Sequence, residues 1–117
     1  MIEVYGIPNC NTVKKAVDWL KKHFLPYRFH DYKKEGITKE KLETWCHHFG
    51  WENLLNKAGT TWRKLPDVVK ATIINQPSAI KLMLEQNSVI KRPVIEAGKK
   101  WLIRFNEDEY EMLLPKK

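Results

Sequence analysis

Residues 2–24 constrain this chain more than any other stretch, because two hydrophobic periods meet inside them. Ile2, Val4 and Tyr5 read as a short strand, whereas Val13, Ala16, Val17, Leu20 and Phe24 recur at the spacing of one buried helix face. The changeover falls within Gly6-Ile7-Pro8-Asn9-Cys10-Asn11-Thr12. The helix is predicted over about residues 12–24 and must stop before Pro26, which lacks an N–H and restricts its predecessor. Tyr27, Phe29 and Asp31 then alternate with Arg28 and His30 as a second strand, closed by polar residues from Lys33 to the turn residue Gly36. Strand, helix and strand at this length fit a right-handed βαβ unit.

The junction also places a cysteine where its chemistry changes. Backbone N–H groups at a helix start lack partners and carry about half a positive charge, so they favour a thiolate over a thiol. Cysteines so placed fall from a pKa of about 8.5 to roughly 3.5–7.5. Lys14 and Lys15 add positive charge in the first turns, and Asn11 or Thr12 is the expected helix cap. Cys10 is therefore the candidate reactive thiol, against the alternative of a small buried hydrophobe.

Further along, Thr38 is the expected cap of a helix whose Leu42, Trp45, Cys46 and Phe49 share one face, with Gly50 as its stop. Cys46 is thus expected in a core. Leu54 and Leu55 suggest a helical turn, residues 58–65 an ordered loop, and helical patterns return at about 67–75 and 78–86, the second entered at Pro77. Strand signals reappear only after Pro93: Val94 and Ile95, a turn at Ala97-Gly98-Lys99, then Trp101, Leu102 and Ile103. Asn106, followed by Glu107, Asp108 and Glu109, starts a last helix with Tyr110, Leu113 and Leu114 on its apolar side. The order is βαβ, helices, ββα.

With 117 residues, 43% of them hydrophobic, the chain suits one globular domain. No apolar run approaches the roughly 18 residues of a membrane span, and no leader pattern opens the chain, so it is expected in the cytoplasm with both cysteines reduced. The net charge of +7 admits nucleic acid or an anionic substrate as partner. Its basic pairs (Lys14-Lys15, Lys21-Lys22, Lys33-Lys34, Lys99-Lys100, Lys116-Lys117) are spread out instead of forming one stripe, which argues against a dedicated nucleic-acid surface. Cys46-His47-His48 invites a metal reading, with His23 and His30 in reserve. Neighbouring helix residues point about 100° apart, however, so three in a row cannot share one tetrahedral ion, and no metal is expected.

Four stretches carry a resemblance: Tyr5-Gly6-Ile7-Pro8-Asn9-Cys10-Asn11-Thr12-Val13-Lys14-Lys15-Ala16, Phe29-His30-Asp31-Tyr32, Gly59-Thr60-Thr61-Trp62-Arg63-Lys64-Leu65 and Ile90-Lys91-Arg92-Pro93. Together they resemble the arsenate reductase-like family that includes ArsC, Spx and YffB, most nearly its YffB branch. The resemblance spans essentially the whole chain. It implies an α/β, thioredoxin-like fold with a mixed four-stranded sheet, its core at 1–37 and 89–117, interrupted by an all-helical insertion at 38–88.

It also implies roles. Cys10 matches the family's nucleophilic or redox thiol, Arg92 the arginine before a proline, and Arg104 a pocket arginine after the last hairpin. The resemblance further implies that the Arg92–Pro93 bond is cis and faces the thiol. With Arg63, Asn9, Asn11, Thr12 and Pro93, these arginines make up the expected anion- and glutathione-binding set. Arsenate reductases proper carry a further arginine in a Leu-Leu-Arg-Lys context, where this chain has Leu54-Leu55-Asn56-Lys57; Arg63 is the candidate to restore the charge. Spx-type regulators often have Cys-x-x-Cys, but here Val13 fills the second position and excludes a local disulfide. The resemblance therefore implies an external resolving thiol, glutathione or glutaredoxin, and a thiol reductase without a tightly bound cofactor. The alternatives are a true arsenate reductase, or an Spx-like regulator that binds RNA polymerase without catalysis.

Overall fold

The computed structural model describes residues 1–115; the basic pair Lys116-Lys117 lies outside them. In chain order the elements are β1 (Ile2–Gly6), α1 (Asn11–Lys22), β2 (Tyr27–Asp31), α2 (Tyr32–Glu35), α3 (Lys39–Phe49), α4 (Trp51–Leu54), α5 (Thr60–Arg63), α6 (Asp67–Ala71), α7 (Gln76–Glu85), β3 (Val94–Ala97), β4 (Lys100–Ile103) and α8 (Glu107–Tyr110). The chain forms two compact units, one from Met1–Glu35 together with the segment from Arg92 onward, the other Gly36–Lys91. The core boundaries expected at 37 and 89 thus lie at 35 and 92. Residues 89–91 stay with the helices because Ile90 bridges to Leu55 and the Lys91 N–H donates to the Leu54 carbonyl at 2.9 Å.

The first unit is built on a mixed sheet in the order β2-β1-β3-β4. β1 runs parallel to β2, with Val4 opposite Phe29, and antiparallel to β3, with Val4 opposite Ile95; β4 closes the hairpin with Leu102 opposite Ile95. Period-two alternation therefore puts Val4, Ile95 and Leu102 on one face, against Ala16, Trp19 and Leu20 of α1 and Tyr110 of α8. Trp19 meets Tyr110 edge to face at 5.6 Å. Burying each of the larger aliphatic side chains contributes roughly 1.5–3 kcal/mol, which is what holds α1 down on the sheet.

Phe24 departs from the expected buried face: it is 90% exposed. The helix ends at Lys22, and the Leu25 N–H reaches back to the Leu20 carbonyl at 3.0 Å. That closure turns Phe24 into the left-handed region (φ 56°), leaving Leu25 to pack against the core in its place.

In the second unit Thr38 caps α3 by accepting from the Lys41 N–H at 3.1 Å, and Gly50 ends it at φ 83°. Leu42, Trp45, Cys46, Leu54, Ile80 and Met83 are buried. The ordered loop expected at 58–65 contains a helical turn, α5, too short to show a period. The helix expected at 67–75 shrinks to α6. α7 begins as Asn75 and Ser78 satisfy each other's backbone in a capping box, with Pro77 in its first turn.

Candidate active site

The turn between β1 and α1 presses strand against helix. A Cβ on Gly6 would lie 2.8 Å from Val13 Cγ2, so glycine allows the strand to end directly under the first turn of α1. Cys10 then occupies the N-cap position itself, with extended backbone (φ −124°, ψ 125°), and its carbonyl accepts from the Lys14 N–H at 2.9 Å. Asn11 and Thr12, expected as caps, are instead the first two helical residues, and no side chain makes a cap hydrogen bond of ordinary geometry. Asn9 and Asn11 are exposed and Thr12 is half-buried.

Burial works against ionisation of the Cys10 thiol and is the largest single influence on it. The Val13 N–H, a hydrogen bond from Arg92, the Thr12 N–H and the charge of Arg92 together outweigh that cost and hold the thiol below its ordinary range. Cys46 behaves oppositely: burial, helped by the nearby Glu43 carboxylate, pushes it up to about 11. The two cysteines are both free thiols, their pKa values moved in opposite directions.

Arg92 precedes Pro93 across a cis peptide bond. Its guanidinium bonds to Cys10 and also to the Tyr32 hydroxyl; burial disfavours its charge, and Tyr32 and Cys10 support it. Tyr32 is 1% exposed. Its burial raises its pKa more than Arg92 lowers it, so it stays a neutral phenol that accepts from the guanidinium. The turn that carries it is fixed at both ends. Asp31 Oδ1 accepts from the Lys33 and Lys34 N–H groups at 3.0 and 3.4 Å, and Glu35 Oε2 accepts from the Asp31 N–H at 3.0 Å. Sequence reading missed Tyr32 as a site residue. Its signal was the Asp31-x-x-x-Glu35 pattern at the end of a strand, the signature of a capped turn.

Arg104 joins this neighbourhood through its backbone. Its N–H donates to the Pro93 carbonyl at 2.8 Å, and its carbonyl accepts from the Tyr110 hydroxyl. Clamped on both sides, it adopts φ 61°, uncommon for a residue with a side chain.

Arg63, at the end of α5, is exposed and belongs to the helical unit; its carbonyl accepts from Lys70 Nζ at 3.2 Å. Asn56 in the same unit is 8% exposed. Its N–H donates to the Val89 carbonyl at 2.6 Å, its Oδ1 accepts from the Ala58 N–H at 3.2 Å, and a Cβ on Gly59 would come within 2.8 Å of its Nδ2. The Asn56 amide thus organises its own loop.

The histidines have packing roles. His30 Nε2 lies 2.7 Å from Glu3 and the ring stacks on Tyr5 at 4.5 Å, while His23 packs on Trp19 at 4.2 Å. Among the described residues no three His, Cys, Asp or Glu side chains converge as a metal ion requires. No helix among them is long and apolar enough to cross a membrane.

A cysteine at a helix start within a parallel βαβ unit, bonded by the arginine that precedes a cis proline, belongs to a thioredoxin-like fold. Comparison with known proteins narrows this further. The ArsC family model matches residues 5–113, and the chain belongs to that family. An uncharacterized protein of Haemophilus influenzae is 44% identical over 111 residues, covering 95% of this chain and 96% of its own. The solved structure of the YFFB (PA3664) protein superposes with a TM-score of 0.93 at 48% identity, covering 98% of this chain and all of its own. The global transcriptional regulator Spx of Streptococcus pneumoniae is 27% identical over 118 residues, 99% of this chain and 87% of its own.

Proposed function

We propose that this protein is a glutathione-linked thiol reductase in which Cys10 is the nucleophile. The observation that carries the reading is the convergence of the Val13 and Thr12 N–H groups and Arg92 on a single sulfur. Position 13 holds valine, and Cys46 is a buried thiol with a raised pKa, so resolution falls to an outside thiol. The Cys10 thiolate attacks one sulfur of a disulfide, the S–S bond breaks, and the departing thiolate takes a proton from water. If the attacked sulfur is glutathione's, Cys10 becomes a glutathionyl mixed disulfide. A second glutathione, or a glutaredoxin thiol, then attacks that glutathionyl sulfur, releasing Cys10 as thiolate. Arg92 and Arg104 supply planar donor forks for the carboxylates of glutathione, and the net charge of +7 draws such anions in.

Incubation with oxidised glutathione, followed by intact-mass and peptide mass spectrometry, tests this directly. A glutathionyl adduct on Cys10, absent in Cys10→Ser and removed by added glutathione or glutaredoxin, is expected; no adduct on Cys10 refutes the reading. The family membership keeps arsenate as a second substrate to assay. Robust arsenate turnover that Arg63→Ala abolishes would favour an arsenate reductase. The Spx relative motivates a third arm, in which tight binding to RNA polymerase without thiol turnover would favour a regulator.

A further inference from the structure

Nothing in the chemistry above uses the groove between α1 and β2, a cavity of about 350 Å³. Val13 and Val17 from the helix, Tyr27 and Phe29 from the strand and Pro8 from the turn before the helix make it apolar. Its lining residues Pro8 and Val13 stand two and three positions from Cys10 in the chain, and Val13 also presents its N–H to Cys10. β2 is an edge strand, so one side of the groove is a sheet margin. Lys14 and Lys21 stand on the rim, both exposed, with Asp18 between them. At 1.5 Å per residue the two lysines are about 10 Å apart, and Lys21 lies about 16 Å along the helix from Cys10.

We propose that this groove seats the polypeptide that flanks a sulfur under attack: an extended, acidic segment whose central apolar side chains enter between Val17 and Phe29. The inference rests on the thiol reading of Cys10 and extends it from small disulfides to glutathionylated proteins. An extended chain covers the distance from Cys10 to Lys21 in about five residues, at roughly 3.3 Å each. Two cationic rim groups about an apolar floor suit carboxylates on either side of an apolar anchor, by the same logic that makes alternate side chains specify peptides laid along a sheet edge. A second copy of this chain is a poor occupant, because each copy carries a net charge of +7. In the reaction, the Cys10 thiolate attacks the glutathionyl sulfur of the seated mixed disulfide, the S–S bond breaks, and the peptide thiolate leaves and takes a proton from water. Free glutathione then reduces Cys10 and departs as oxidised glutathione.

The probe is an acetylated, amidated hexapeptide, cysteine-glutamate-leucine-serine-leucine-glutamate, glutathionylated on its cysteine. Two companions replace its glutamates by lysines or its leucines by glycines, and oxidised glutathione is the reference. Glutathionyl transfer to Cys10 is followed by intact mass at low ionic strength. The acidic, apolar peptide is expected to react about tenfold faster than the lysine peptide and about threefold or more faster than the glycine peptide. Lys21→Glu is expected to remove most of the advantage over lysine while leaving the reaction with oxidised glutathione unchanged. Peptide rates within twofold of one another overturn the proposal. So does an acid preference that ignores the leucines, since that reports only overall charge, and so does a dimer that the acidic peptide dissociates, since that assigns the groove to a second copy. Failure of oxidised glutathione itself to modify Cys10 refutes the underlying thiol reading instead.

Discussion

Replacing Arg92 by methionine removes a cation that hydrogen-bonds to the Cys10 sulfur while keeping a long apolar side chain before the cis proline. A hydrogen bond to a charged group contributes about 1.5–3 kcal/mol, and one pKa unit corresponds to about 1.4 kcal/mol. Full loss would therefore raise the Cys10 pKa. The sulfur is only partly buried, so solvent recovers part of the interaction, and the lower end of that energy range, about 1.5 kcal/mol, is the expected cost. The sign follows from the acid form being neutral: removing a cation favours the thiol, so the thiolate appears only at higher pH. Well below the pKa, losing about 1.4 kcal/mol of thiolate stabilisation is a tenfold loss of thiolate, so alkylation by iodoacetamide should slow about tenfold. Measuring that rate against pH gives the pKa directly, and Cys46, raised to about 11, stays silent through the relevant range. Arg92→Lys, which keeps charge without the fork, should fall between parent and Arg92→Met. An unchanged Cys10 pKa in Arg92→Met would show that the helix N–H groups act alone and would remove Arg92 from the account.

Three further substitutions follow from the packing. Gly6→Ala should cost about 1–3 kcal/mol in urea unfolding, because its Cβ meets the stiff, buried Val13 at 2.8 Å; Val13→Ala in the same chain should restore part of the loss, and no destabilisation would refute the close approach. Tyr32→Phe strips an acceptor from the Arg92 guanidinium, so it should lower stability by about 1.5–3 kcal/mol and slow Cys10 alkylation; a variant that matches the parent in both would deny Tyr32 its role. Asn56→Arg should destabilise by more than about 2 kcal/mol without raising arsenate turnover, because the amide is buried against Gly59 and holds its own loop; a stable variant with faster turnover would contradict this.

Local signals made most of the first unit legible. Strand alternation, the helix face from Val13 to Leu20, the break at Pro26 and the Asn106 cap are short-range features, and each placed an element to within a few residues. The position of Cys10 at a helix start was equally legible, because the strand period gives way to the helix period around it. Phe24 shows the limit: its spacing fits the buried face, but the closing bond from Leu25 to Leu20 decides which of the two residues turns inward. Tyr32 shows another, since the Arg92 contact that gives it meaning joins residues 60 positions apart, beyond the reach of periodicity. α5 is a single turn that shows no repeat to detect, α6 stops short of the pattern at 67–75, and Asn56 reads as a missing charge until its Asx turn and its contact with Gly59 are seen.

The relative reactivity of the two cysteines tests the central claim most directly. Brief iodoacetamide treatment of the folded protein at pH 6.5, followed by peptide mass spectrometry, compares Cys10 and Cys46 in one tube. The account predicts that Cys10 is carboxamidomethylated at least about a hundredfold faster, because its thiol is held below the ordinary range and that of Cys46 is pushed to about 11. Equal rates at the two positions would contradict it.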